Sequence, residues 1–190
     1  MNDPDHGVGG GGGPLIVLQA AAVPQWQGAS DYENSLMAGG DVETDYDLIC
    51  CDGELPKGVF VLTRHDREML VLWQGAVGGR LLPPRLLSLP SDTIILIQGY
   101  PEDDLPDVLS KIQERLQRGR PERSLLLNIQ DKTLRLHAGA DSLQVVVDGI
   151  EPSYDHGYID IPVSPGLKRC DVYEFDNDAF KDEVVIRPLA

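Results

Sequence analysis

The first residues whose spacing could support chemistry are the glycines near the start of the chain. Gly7, Gly9 and Gly12 satisfy the G-x-G-x-x-G spacing of a dinucleotide-binding loop. Such a loop needs a strand before its glycines and a helix after them, so that the pyrophosphate meets a helix N-terminus. Here only six residues precede Gly7, and an apolar, strand-like run follows at 15–18. A P-loop would close with Gly-Lys-Ser/Thr, whereas this run closes with Gly13–Pro14, so neither phosphate-binding motif is indicated.

At two places in the sequence a histidine and an aspartate are neighbours, as in the ligand pairs of metal-dependent hydrolases. They are His65–Asp66 and Asp155–His156, and no H-x-x-x-H or C-x-x-C spacing supports either of them. Arg64 and Arg67 flank the first pair and would repel a cation. The second pair lies in a stretch rich in turn-forming residues. A metal-assisted hydrolase using His65, Asp66, Asp155 and His156 stays an alternative, while our prediction is no metal site and no cofactor.

No sequence motif marks a nucleophile. The G-x-S-x-G pattern is absent, and neither Cys50 nor Cys170 has a neighbouring histidine or a predicted helix N-terminus to lower its pKa. The three cysteines (Cys50, Cys51 and Cys170) are odd in number and lack the spacing of a disulfide framework, which is typical of a reducing compartment. The acidic N-terminus also lacks the basic and apolar regions of a secretory signal. We therefore predict a cytoplasmic protein that is not an enzyme.

The net charge of the chain restricts the kinds of partner that are expected. Across 190 residues, 31 acids against 16 bases give a formal net charge of −15. Nucleic acids and anionic membranes require basic residues to neutralise phosphates, so the composition argues against both. A protein partner with a basic surface would instead be attracted over long range. The charge is also compatible with a role in solubility alone.

Residues 41–54 hold a dense run of acids, and aromatic residues occur at Trp26, Tyr32 and Tyr46. The alternating acids suggest a calcium loop, but the glycine and the terminal glutamate of that motif are misplaced. Aromatic anchors surrounded by acids suit recognition of a basic protein face. We predict Trp26 to be a core residue. The predicted contacts to the partner are Asp41, Glu43, Asp45, Tyr46, Asp47, Asp52 and Glu54.

The hydrophobic pattern predicts an α+β, β-rich fold with about ten short, mostly antiparallel strands and one main helix. The helix is predicted at about 105–117, where Pro106 suits a first turn and Gly119 suits the position after the last turn. A hairpin is predicted with 64–67 as its exposed turn, and no strand or helix is predicted within 27–57 or 75–90. The strands are predicted at 15–18, 58–63, 69–73, 93–97, 124–129, 133–137, 143–147, 158–163, 169–175 and 183–187.

Domain organisation follows from the glycine content. Residues 1–13 are predicted as a flexible, glycine-rich leader, and 14–190 as a single globular domain. A division of that domain into two sub-halves that meet near 75–92 is the alternative.

Three motifs resemble, in order and rough spacing, those of the bacterial immunity protein family 21. They are GGPLIVL at 12–18, VPQWQG at 23–28 and TDYD at 44–47. The strand–turn–strand pattern at 159–175 and the closing VVIRPL at 184–189 are similar to that family as well. The chain departs from it at 73–75, where Gly-Asp-Glu-Pro is expected, and at Leu167, where threonine is usual. The resemblance assigns motif positions to Gly12, Gly13, Pro14, Trp26, Asp45, Tyr46 and Asp47.

The resemblance implies an immunity protein of a polymorphic toxin system. Such a protein has no catalysis of its own and binds a cognate toxin domain in the cytoplasm of the producing cell. It neutralises the toxin by blocking the active site or the substrate channel. The alternatives are the metal-assisted hydrolase described above and a non-catalytic regulatory or scaffold module.

Overall fold

The computed structural model describes residues 7–9, 14–28, 44–51, 55–56, 58–73, 78–82, 87–99, 105–138, 158–174 and 180–188. Within them the strands are β1 (Gly7–Gly9), β2 (Leu15–Gln19), β3 (Gly58–Arg64), β4 (Arg67–Trp73), β5 (Gly78–Leu82), β6 (Ile94–Gly99), β7 (Arg123–Ile129), β8 (Thr133–Ala138), β9 (Tyr158–Pro162), β10 (Gly166–Glu174) and β11 (Phe180–Pro188). The α-helices are α1 (Asp45–Cys51) and α2 (Leu105–Arg118), and a short 3-10 helix spans Val23–Gln25.

The strands form two antiparallel sheets. One has six strands in the order β1-β5-β6-β11-β10-β7, and the other has five in the order β3-β4-β2-β8-β9. Both sheets take strands from both sides of residues 75–92, so the described strands give no division into halves at that position. The chain instead crosses between the sheets, for example from β7 to β8.

The main core lies between the inner faces of the two sheets. Leu15 and Val17 of β2 belong to the same buried cluster as Cys170 and Val172 of β10, together with side chains from β3, β4, β6, β7, β8 and β9. Side chains alternate between the two faces of a strand, so each sheet also has an outer face that other elements can cover.

The outer face of the five-stranded sheet is covered by the 3-10 segment and α1. Ile16 of β2 packs in one cluster with Trp26 and with Ile49 of α1. All five residues of β2 are buried because both faces of this strand are covered. This explains why the sequence there is a continuous apolar run rather than an alternating one.

The outer face of the six-stranded sheet is partly covered by α2. Ile112, on the apolar side of α2, packs against Ile95 of β6 and Tyr173 of β10. Gly119 follows the last residue of the helix with a φ of 69° and donates its N–H to the carbonyl of Leu116 at 3.2 Å. A positive φ just past a helix end favours glycine, so this end is set locally by the sequence.

The predicted α+β class, the antiparallel sheets and the main helix are confirmed. The described residues form eleven strands, where about ten were predicted. Gly7–Gly9, which we expected in a flexible leader, pair with β5, and β5 itself lies in the connection where no strand was predicted. Helix α1 lies inside the stretch 27–57, where no element was predicted. The strand predicted at 143–147 lies outside the described residues.

Candidate functional site

The TDYD motif forms the start of α1, and its first and last residues cap that helix. The Thr44 hydroxyl accepts the N–H of Asp47 at 3.0 Å. In return, Asp47 Oδ2 accepts the Thr44 N–H at 3.0 Å and the Thr44 hydroxyl at 2.9 Å. This reciprocal arrangement is a capping box, with aspartate in the position of the usual glutamate or glutamine. Both residues are 1% exposed, so the motif has a structural role here.

Asp45, the second residue of the motif, is a buried carboxylate with four hydrogen-bond donors around it. Arg64 binds Oδ1 through Nε at 2.8 Å and Nη2 at 2.6 Å. Oδ2 is 2.8 Å from His65 Nε2 and accepts the backbone N–H of Gln27 at 2.9 Å. The Asp45 side chain is 1% exposed, against 34% for Arg64 and 22% for His65. We call Gln27, Asp45, Arg64 and His65 the Asp45 cluster.

The β3–β4 turn positions two members of the Asp45 cluster. His65 and Asp66 have φ values of 51° and 58°, and Arg64 pairs with Arg67 in the strand register. Two successive residues with positive φ are characteristic of a type I′ hairpin turn, and histidine and aspartate tolerate that region better than most residues. The predicted hairpin turn is therefore present, although Arg64 and His65 are half-buried rather than exposed.

The Asp45 cluster joins two points that are far apart in sequence. Gln27 donates its N–H to Asp45, and its carbonyl accepts the N–H of Tyr46 at 3.1 Å. Gln27 is therefore in direct contact with Asp45 and Tyr46, although Gln27 and Asp45 are 18 positions apart in the sequence. The residues between them contain Asp31, Glu33, Asp41 and Glu43 but no lysine, arginine or histidine.

Gln19 forms a second buried polar cluster, which no sequence motif had indicated. Its Nε2 donates to the carbonyls of Glu68 at 2.8 Å and Asn128 at 2.9 Å. Its Oε1 accepts the N–H groups of Gln130 at 2.6 Å and Asp131 at 3.2 Å. Gln19 is 1% exposed, and its amide uses both donors and both acceptor positions. The side chain thereby ties β2 and β4 of one sheet to β7 of the other.

The predicted partner contacts occupy different environments. Asp45 and Asp47 are each 1% exposed and bound within the chain, so neither presents its carboxylate to a partner. Tyr46 is half-buried beside them. The other predicted contacts, Asp41, Glu43, Asp52 and Glu54, lie outside the described residues and stay predictions.

The structure places two of the other motif residues in the interior. Trp26 is 0% exposed, as predicted for a core residue, and its ring meets His137 edge-on with centroids 5.9 Å apart. Pro14 is buried and immediately precedes β2. Gly12 and Gly13 lie outside the described residues.

The residues of the hydrolase alternative are only partly placed. His65 is bound to Asp45, and Asp66 is exposed in the same turn. Asp155 and His156 lie outside the described residues. In the part of the chain that the structure describes, no three histidine, cysteine, aspartate or glutamate side chains lie close enough together to hold a metal ion.

Cys170 is a buried thiol in the main core. Burial, together with the negative charges of Asp171 and Glu68, raises its pKa to about 12. The side chain is therefore protonated at neutral pH and acts as a small apolar core residue rather than a nucleophile.

Among the described residues, no helix is both long enough and apolar enough to cross a membrane. Comparisons with protein-family models, with curated proteins and with solved structures find no match for this chain. The likeness to the bacterial immunity protein family 21 therefore rests on the sequence motifs, two of which the structure assigns to a buried helix cap and a buried tryptophan.

Proposed function

We propose that this chain is a cytoplasmic immunity protein of a bacterial polymorphic toxin system. It binds a cognate toxin domain that has a basic surface and occludes the active site or substrate channel of that domain. It needs no cofactor and performs no reaction of its own.

The observation that carries this proposal is the distribution of negative charge. The net charge is −15, and the stretch between Gln27 and Asp45 adds four acids without a single compensating base. A toxin that handles a polyanionic substrate presents lysine and arginine, and a strongly acidic protein is drawn to such a surface at a high association rate. Binding there would exclude the substrate by both charge and volume.

The buried acids of the TDYD motif take an indirect part in this proposal. Asp45 and Asp47 hold the start of α1 and join it to Gln27 and to the β3–β4 turn. They therefore fix the two ends of the acidic stretch instead of contacting the toxin. The acids between those ends, Asp41 and Glu43 among them, are the proposed contacts.

The test needs the cognate toxin domain, which is to be sought in the genes next to the one that encodes this chain. We expect the double variant Asp41→Asn/Glu43→Gln to bind this domain more weakly and with a shallower dependence on salt, because two attractive charges are lost. The matched control is Asp160→Asn/Glu114→Gln, which removes the same charge from exposed positions on β9 and α2. If both double variants weaken binding equally, general charge rather than the acidic stretch is responsible; if neither does, the contacts lie elsewhere.

The hydrolase alternative makes a different prediction. Near-stoichiometric zinc or manganese in the purified full chain, lost together with activity in His65→Ala, would support it. The immunity function instead predicts that this chain neutralises the toxin equally well with and without a chelator.

A further inference from the structure

One end of the two-sheet stack carries a surface cavity whose described lining residues are not among the proposed toxin contacts. Three turns form it: the turn before β6, the turn between β7 and β8, and the connection between β9 and β10. Hydrogen bonds fix these turns, since Thr93 donates its N–H to the carbonyl of Pro90 and Val163 donates to the carbonyl of Lys132, both at 3.0 Å. The cavity has a volume of about 460 Å³, within the range of small-molecule sites.

Among the described residues, one acid and one base line the cavity, and they do not pair with each other. Asp92 comes from the turn before β6, and Lys132 comes from the turn between β7 and β8. Both side chains are exposed, and neither forms an ion pair or hydrogen bond with another residue in the part of the chain that the structure describes. By contrast Asp131, which precedes Lys132 in the same turn, is engaged with Arg67, whose Nε lies 3.6 Å from Asp131 Oδ1.

The rest of the lining is apolar or carries hydroxyl groups. Pro162, Val163 and Pro165 form an aliphatic wall, and Ser91 and Ser164 add hydroxyl groups. Two proline rings limit the backbone freedom of this wall, so little ordering entropy opposes binding against it. The lining thus offers an anionic point, a cationic point and an aliphatic surface in one cavity.

We propose that this cavity binds a small zwitterion of the α-amino acid class. The ligand ammonium meets the Asp92 carboxylate, the ligand carboxylate meets the Lys132 ammonium, and an aliphatic side chain lies against Pro162, Val163 and Pro165. Two opposite charges within one cavity that do not neutralise each other fit a ligand that carries both complementary charges. This site is independent of toxin neutralisation, so either proposal can fail alone.

Three related probes separate the two charged contacts. Leucine carries both charges at pH 7, N-acetyl-leucine carries only the carboxylate, and leucinamide carries only the ammonium. We would titrate each probe into the ¹⁵N-labelled full chain in phosphate buffer and follow the amide resonances of Ser91, Asp92, Lys132 and Val163. We expect saturable shifts at these residues with leucine, and about tenfold weaker binding of each blocked probe, equivalent to about 1.4 kcal/mol.

Two variants assign the charges to their residues. Lys132→Gln should make leucine and leucinamide bind equally while leucine keeps its advantage over N-acetyl-leucine. Asp92→Asn should make leucine and N-acetyl-leucine bind equally, while leucine keeps its advantage over leucinamide. Lys111→Gln and Glu114→Gln, which remove charges from α2, should change nothing. The proposal is overturned if leucine gives no saturable shift at the cavity, if the three probes bind alike, or if the two cavity variants keep the parent's order of affinities.

Discussion

Replacing Asp45 with asparagine tests whether the TDYD motif has a structural role. The change keeps the size of the side chain and one oxygen acceptor but removes the negative charge. Three groups donate to the carboxylate in the parent protein: the Gln27 N–H, the Arg64 guanidinium and His65 Nε2. In the variant, the asparagine NH₂ group faces either the Arg64 side or the side of Gln27 and His65, where it meets donors instead of accepting from them. Asp45 is 1% exposed, so water cannot hydrate the side chain at this position.

The expected loss follows from the burial of the partners. Removing one member of a buried ion pair costs about 3–5 kcal/mol, because the other charge stays buried without compensation. Here Arg64 is 34% exposed and His65 is 22% exposed, so both recover part of their hydration when the carboxylate charge is gone. We therefore expect Asp45→Asn to lower the free energy of unfolding by about 2–3 kcal/mol, below the fully buried limit.

The matched control is Asp160→Asn. Asp160 also binds an arginine through two bonds, to Arg135 Nε at 2.7 Å and Nη2 at 2.8 Å, but its side chain is 45% exposed. Exposed pairs contribute up to about 1 kcal/mol, so this variant should lose less than that. Urea unfolding at pH 7 measures both variants, with equal m-values required for the comparison. Equal losses for Asp45→Asn and Asp160→Asn would refute the assignment of Asp45 to a buried, structural role.

Three further predictions concern the other buried polar groups. Gln19→Leu should lower the free energy of unfolding by about 2 kcal/mol, because it removes the side-chain partner of partly buried backbone groups of β4, β7 and the β7–β8 turn. Gln25→Leu, at an exposed position, should change it by less than about 0.5 kcal/mol, and urea titration compares the two variants. Thr44→Ala should cost about 1 kcal/mol through loss of the helix cap, and Thr44→Ser should restore most of it in the same assay. The pKa of Cys170 is raised from 9.0 to about 12, so above pH 9 the unfolded chain releases this proton first and stability falls by up to about 1.4 kcal/mol per pH unit. Cys170→Ala should flatten this decline in urea titrations at pH 8, 9 and 10, and parallel declines would contradict the burial of the thiol.

Local signals were sufficient to predict much of the fold. The α2 helix was predictable because its apolar face, its proline near the start and Gly119 after its end all lie within one short stretch. The β3–β4 hairpin was predictable for the same reason, since two apolar runs flank a polar turn. Helix α1 was missed because its seven residues include two acids, and its burial depends on packing against β2 and Trp26 rather than on its own composition.

The acids of the TDYD motif show where sequence reasoning reaches its limit. From the sequence, Asp45 and Asp47 belong to a dense acidic run and were predicted to face a partner. The structure shows that Asp45 meets Arg64 and His65, about twenty residues further along, and this pairing depends on the position of the hairpin turn. The threonine three residues before Asp47 was the one local signal for a helix cap. Gln19 offered no comparable signal, because its partners lie 49 to 112 residues away.

The most direct test of the immunity function is binding to, and protection from, a candidate toxin domain taken from a gene next to the one that encodes this chain. This chain and the toxin domain, both purified, should form a stoichiometric complex by calorimetry, with an affinity that falls as salt rises. Coexpression of this chain should rescue the growth of cells that produce the toxin. Absence of a complex at low salt together with unrelieved toxicity would contradict the proposed function.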